Sequence, residues 1–102
     1  MKTPKYINLK GFLLFQILYE LHRNKRLCGD ELAEIIGKKK GEKLTPGTIY
    51  PALKYLRRKK LVSYKKEGRK KYYRLTEEGK KEYLLCKRIF VKVFKGLFAK
   101  KI

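Results

Sequence analysis

Apolar residues recur along the chain with a helical period, then with a strand period, then with a helical period again. From Asn8 to Arg23, Leu14, Ile17, Leu18 and Leu21 fall on one face of a helix. Phe12, Phe15 and Tyr19 fall on nearly the opposite face, with Gln16, Glu20 and His22 between. A surface helix needs one apolar stripe, so two opposed stripes predict burial on both sides. Asn24, Lys25 and Arg26 end this helix. A second helix is expected over Gly29 to Lys38, with Leu32, Ile35 and Ile36 inward and Asp30 and Glu31 in its first turn. Lys38 to Lys43 reads as a polar connector. A third helix is expected over Pro46 to Lys60, with Thr45 as N-cap and Pro46 at the first helical position. Ile49, Leu53 and Leu56 form its buried stripe with Ala52 beside them. Pro51 is tolerated because its ring crowds only the carbonyl of Gly47, still in the first turn.

The period then drops to two. Leu61 to Lys66 and Lys70 to Leu75 read as a hairpin around Glu67-Gly68-Arg69, with Val62, Tyr64, Tyr73 and Leu75 inward. Thr76 is an N-cap candidate followed by Glu77 and Glu78. The last helix is expected over Glu77 to Lys100. In it Tyr83, Cys86, Phe90, Val93 and Leu97 follow the three-four spacing of a coiled-coil seam, with Leu84, Val91 and Phe98 alongside and Phe94 on its other edge. No repeat and no Ser- or Pro-rich linker divides the chain. The fold class expected from the pattern is mainly α with a small β-hairpin.

The charge changes what this pattern means. The 102 residues carry 29 Lys and Arg against 9 Asp and Glu, a net +20. Residues 52–102 hold nineteen of the basic groups and four of the acids, and Lys54 to Arg74 hold eleven basic groups and one acid, Glu67. Charge of that size far exceeds the ~2–8 that solubility asks of a small domain, and it calls for a polyanionic partner. The 43% hydrophobic content argues against a disordered basic tail. One His, one Asp and one Ser are too few for a catalytic triad or a His-rich metal site, so no enzyme activity, metal or cofactor is expected. Cys28 and Cys86 are no CxxC pair and read as packing residues, with a reduced pair as the plain reading and a bridge left open by their spacing. No apolar run exceeds four residues, so no membrane span is expected. The N-terminus carries no export pattern, and the expected location is the cytoplasm, with the nucleoid.

Three groups of residues are candidates for function. The third helix and hairpin tip form a basic surface suited to double-stranded DNA: a helix fits the major groove, with Thr48, Tyr50 and Lys54 placed for base edges or backbone, and Arg57 and Arg58 for phosphates. Lys66, Arg69, Lys70 and Lys71 at the tip suit a flanking phosphate run. The last helix suits self-association, its seam of Tyr83, Cys86, Phe90, Val93, Phe94 and Leu97 burying the outer stripe Phe12, Phe15 and Tyr19 of the first helix across a two-fold axis. Its alternatives are folding back on its own core or lying on a membrane surface. The tyrosines are the third group. Tyr64 and Tyr73 are expected to pack, and Tyr50 is the exception most suited to a nucleic acid. His22 reads as a surface residue near a helix end.

Gly47-Thr48-Ile49-Tyr50-Pro51-Ala52-Leu53-Lys54-Tyr55-Leu56, then Lys60-Leu61-Val62, then Arg69 to Gly79 resemble the PadR family of transcriptional regulators, and Gly29 to Leu32 resembles its second-helix entry. The resemblance implies a winged helix-turn-helix with a long C-terminal dimerisation helix. Residues 1–76 would form the DNA-binding domain and 77–102 the dimerisation helix, in one compact unit. It further implies a homodimer on operator DNA, usually a repressor, with Thr48, Tyr50, Pro51 and Lys54 at the groove. The turn at Gly68 is short, which argues against deep minor-groove insertion. The chain has no Trp, the residue with which some relatives hold flat aromatic ligands, so an effector does not follow from the resemblance and stays open. The competing readings are a sequence-tolerant architectural DNA-binding protein and, behind it, an RNA-binding module.

Overall fold

The computed structural model describes residues 10–98. Its elements run α1 (Lys10–Arg23), β1 (Leu27–Cys28), α2 (Gly29–Lys38), α3 (Pro46–Arg58), β2 (Val62–Glu67), β3 (Lys70–Leu75) and α4 (Glu77–Phe98). The expected helical starts at Asn8 and ends at Lys100 lie outside the described residues. The three strands form one antiparallel sheet in the order β1-β3-β2. This is a winged-helix arrangement: three helices, and a β2–β3 ribbon as the wing. Strand β1 is absent from the hairpin the sequence predicts. Leu27 and Cys28 are both buried and pair with Tyr73 and Tyr72; two residues are too few to show a period.

The core lies where α1, α2 and α3 meet the sheet. Ile17, Leu32, Ile36, Ile49, Leu53, Leu56 and Val62 are fully buried there. The helix ends follow local chemistry. Thr76 caps α4: its hydroxyl accepts from the Gly79 amide at 3.0 Å and donates to the Lys60 carbonyl at 2.7 Å. Thr45 occupies the N-cap of α3 as expected, but its hydroxyl meets that of Thr48 at 3.1 Å instead of a backbone amide. The expected extension of α3 to Lys60 stops at Arg58 because Lys60 turns left-handed, at φ 63°. The amides of Lys60 and Leu61 then return to the carbonyls of Arg57 and Leu56, at 2.9 and 3.0 Å, a Schellman ending built without glycine. Gly79 lies where α4 crosses this connector; a Cβ there would fall inside the Leu61 carbonyl oxygen.

Glu20 is buried on α1, with its carboxylate 2.6 Å from the Lys39 ammonium. The pairing offsets the cost of burying the charge and ties the end of α2 to α1. Among the described residues no helix is long and apolar enough to cross a membrane, and no group of His, Cys, Asp and Glu is placed to hold a metal.

Candidate nucleic-acid interface

The buried stripe of α3 fixes what its other face presents. With Ile49, Ala52, Leu53 and Leu56 inward, Thr48, Tyr50, Pro51, Lys54, Arg57 and Arg58 all stand exposed. The wing continues this surface. The Arg57 guanidinium lies 5.7 Å from the Tyr64 ring on β2, and the Lys71 ammonium lies 4.8 Å from the same ring. One aromatic ring thus brings cations of α3 and of β3 together, with Lys66 opposite Lys71 in the ladder. Tyr73 is buried as expected, whereas Tyr64, which lies against it at 5.5 Å, is 38% exposed and packs only in part.

Arg69, Lys70 and Lys71 share a cleft of about 300 Å³ with Tyr50 and the start of α2, Cys28 to Asp30. The Tyr50 ring closes over Gly29, leaving no space for a side chain there. Burial raises the Tyr50 hydroxyl above its ordinary pKa, and the Asp30 charge adds to the effect. Lys66, Arg69, Lys70 and Lys71 are exposed around the tip, and Gly68 supplies the turn at φ 63°.

Arg26, which the sequence places at a helix end, braces the wing. Its guanidinium pairs with Glu67, the single acid of the basic stretch, and lies 4.2 Å from the Tyr72 ring. Each partner favours the other's charged form: Glu67 raises the Arg26 pKa, and Arg26 lowers that of Glu67. The alternation of β2 and β3 places Glu67 and Tyr72 on one face, but nothing in the sequence says which distant residue meets them. Glu31 is a second such case. Its carboxylate accepts from the Cys28 amide at 2.9 Å, fixing the start of α2, and this bond lowers its pKa.

The residues expected to mediate self-association divide into two sets. Phe15 stacks on Tyr83 and Phe90 at 5.6 and 5.5 Å, Tyr19 packs on Tyr83 at 6.3 Å, and Phe12 meets Phe90 at 6.3 Å, all within one chain. The first half of α4 therefore folds back on the outer stripe of α1. Tyr83 is 2% exposed without any partner copy. It belongs to the core, where it also carries the exposed His22 ring at 4.6 Å. Cys86 is half-buried beside this packing, and burial, then Glu82, pushes its thiol pKa up. Both cysteines are free thiols.

The second half of α4 has no such cover. Val93 is 67% and Leu97 73% exposed, with Phe94 at 40%. Leu85 and Ile89 are also exposed, so Leu85, Ile89, Val93 and Leu97 form one apolar row four residues apart. Leu85 and Ile89 lie outside the three-four seam, and their spacing of four from each other and from Val93 is the sequence signal for them.

Residues 17–84 match the family model described as the transcriptional regulator PadR-like family. A PadR family transcription regulator from Clostridium difficile R20291 is 32% identical, with a TM-score of 0.68; the match covers 87% of this chain and all of that one. A PadR-like transcription factor from Bacteroides fragilis (24% identical, TM-score 0.74, covering 86% of this chain and 88% of that one) shares the fold. So does RosR of H. salinarum (24%, 0.74, covering 87% and 78%). No curated protein matches the sequence.

Proposed function

The chain belongs to the PadR-like family of transcriptional regulators, and from that premise we propose that it is a homodimeric repressor binding double-stranded DNA through α3 and the wing. The observation that carries this reading is the exposed basic set Lys54, Arg57, Arg58, Lys66 and Lys71, of which Arg57 of α3 and Lys71 of the wing meet at the Tyr64 ring. Helix α3 enters the major groove, with Thr48, Tyr50, Pro51 and Lys54 nearest the bases. Arg57, Arg58 and the tip residues Lys66, Arg69, Lys70 and Lys71 hold flanking phosphates.

A second copy covers the row Leu85, Ile89, Val93 and Leu97, with Phe94, Phe90 and Phe12 beside it. An apolar ridge of this length left in water favours self-association. The two-fold axis then sets the two α3 helices about 34 Å apart, on successive major grooves. No reaction is catalysed, and the working location is the cytoplasm, with the nucleoid.

The test is the salt dependence of binding to a DNA fragment selected from the source genome. Four phosphates neutralised per subunit give a slope of log K against log salt near about −7. Arg57→Ala removes one phosphate contact per subunit and makes the slope shallower by about two units. An unchanged slope places α3 away from the backbone and defeats the proposal. A selected-to-random affinity ratio near one, in place of about a thousandfold, favours the architectural reading.

A further inference from the structure

The wing has two faces, and only one looks toward α3. Val62 with Leu75, Tyr64 with Tyr73 and Lys66 with Lys71 lie on the α3 side. Ser63 with Arg74, Lys65 with Tyr72 and Glu67 with Lys70 lie on the reverse. At its base the reverse face opens into a groove of about 840 Å³ between the end of α1 and the start of α4. Arg23, Lys25, Arg74 and Lys80 line it, with Ser63 and the single carboxylate Glu77. Lys80 reaches Glu77 at 3.4 Å. Among the described residues, Arg23, Lys25 and Arg74 have no carboxylate within 4 Å, in contrast to Arg26, which the wing's own acid neutralises. Arg23 is steadied by its bond of 3.3 Å to the Tyr19 hydroxyl.

Three uncompensated cations in one groove repel each other, and the α3 side already supplies more charge than solubility needs. The two faces of a ribbon point in opposite directions, so a duplex seated on α3 leaves this groove open. We propose that the groove and the reverse face of the wing, continued by Lys65, bind the phosphodiester backbone of a second stretch of duplex DNA. The inference rests on α3 seating the first stretch. The reverse site offers cations and a hydroxyl and no helix for a groove, so it is sequence-tolerant. One molecule then holds two DNA segments, and regulation can include bridging of sites or folding of flanking DNA.

The experiment uses the full chain bound to an immobilised short duplex carrying the selected site, with all such sites filled. Capture of a second, labelled duplex of random sequence is then measured near physiological salt. The variant Arg23→Gln/Lys25→Gln/Arg74→Gln is expected to lose capture by about tenfold or more while its affinity for the first duplex changes by less than about threefold. Arg23→Lys/Lys25→Arg/Arg74→Lys is expected to retain capture. Equal losses at both steps, or no loss at either, overturn the proposal. So does a wild-type chain that captures no second duplex yet is stabilised against heat by inorganic pyrophosphate, which would make the groove a small-anion site. Lys54→Ala separates the two readings: it weakens the first step if α3 seats DNA, and its failure there counts against the α3 reading.

Discussion

Helices α3 and α4 are both amphipathic, yet they end with opposite kinds of surplus. In α3 the aliphatic positions are buried and the groups left outside are Lys54, Arg57 and Arg58 with their hydroxyl-bearing neighbours. In α4 only the first half reaches the core, through Gly79 and Tyr83, and the groups left outside farther along include Leu85, Ile89, Val93 and Leu97. A surplus of charge and a surplus of apolar surface call for different partners. The first suits a polyanion, the second a like surface. One small chain thus separates its two associations onto two helices, and Gly79 of α4 packs on Leu61, in the connector that follows α3.

That crossing is where the comparison is most easily broken. Gly79→Val drives a branched side chain into the Leu61 carbonyl and is expected to cost about 3 kcal/mol or more, read as a lower urea midpoint. An unchanged midpoint would mean that α4 can pivot freely against the connector that follows α3. Next in size, Val93→Glu/Leu97→Glu is expected to weaken self-association by about a hundredfold, near 2.7 kcal/mol, in sedimentation equilibrium. Helix content should not change. The same loss from Lys54→Glu would erase the division of labour between the two helices.

Two smaller effects sharpen the account of how α3 is held. Lys60→Gly relieves the left-handed residue after α3 and should stabilise the fold by about 1 kcal/mol in thermal melts. Glu31→Gln weakens the start of α2, beneath Tyr50, by about 0.5–1 kcal/mol at neutral pH. Its pH dependence has a definite direction. The Cys28 amide holds the Glu31 pKa below its ordinary value, so the native carboxylate stabilises the fold above the ordinary carboxylate range. That contribution fades as pH falls through the folded value. Wild type and variant should therefore converge in acid, and a gap independent of pH would show that the bond does not act through the carboxylate charge.

Much of this was legible in the amino-acid order. Four helices, the hairpin and the Thr76 cap follow from period and residue type, because each depends on neighbours within about four positions. The exposed face of α3 follows from its buried stripe by subtraction. The missed features depend on distant partners. Strand β1 exists because Leu27 and Cys28 meet Tyr73 and Tyr72. Arg26 becomes a wing brace only once the fold brings Glu67 and Tyr72 to it. The early part of the α4 seam looked free because its spacing cannot tell a partner's helix from α1 of the same chain, which covers Tyr83.

Hydroxyl-radical footprinting on a DNA fragment selected at near-physiological salt tests the central claim most directly. Paired subunits presenting α3 predict two protected tracts whose centres lie about one helical turn, 34 Å, apart and are related by a two-fold axis. A single tract, or even protection along the whole fragment, would contradict it.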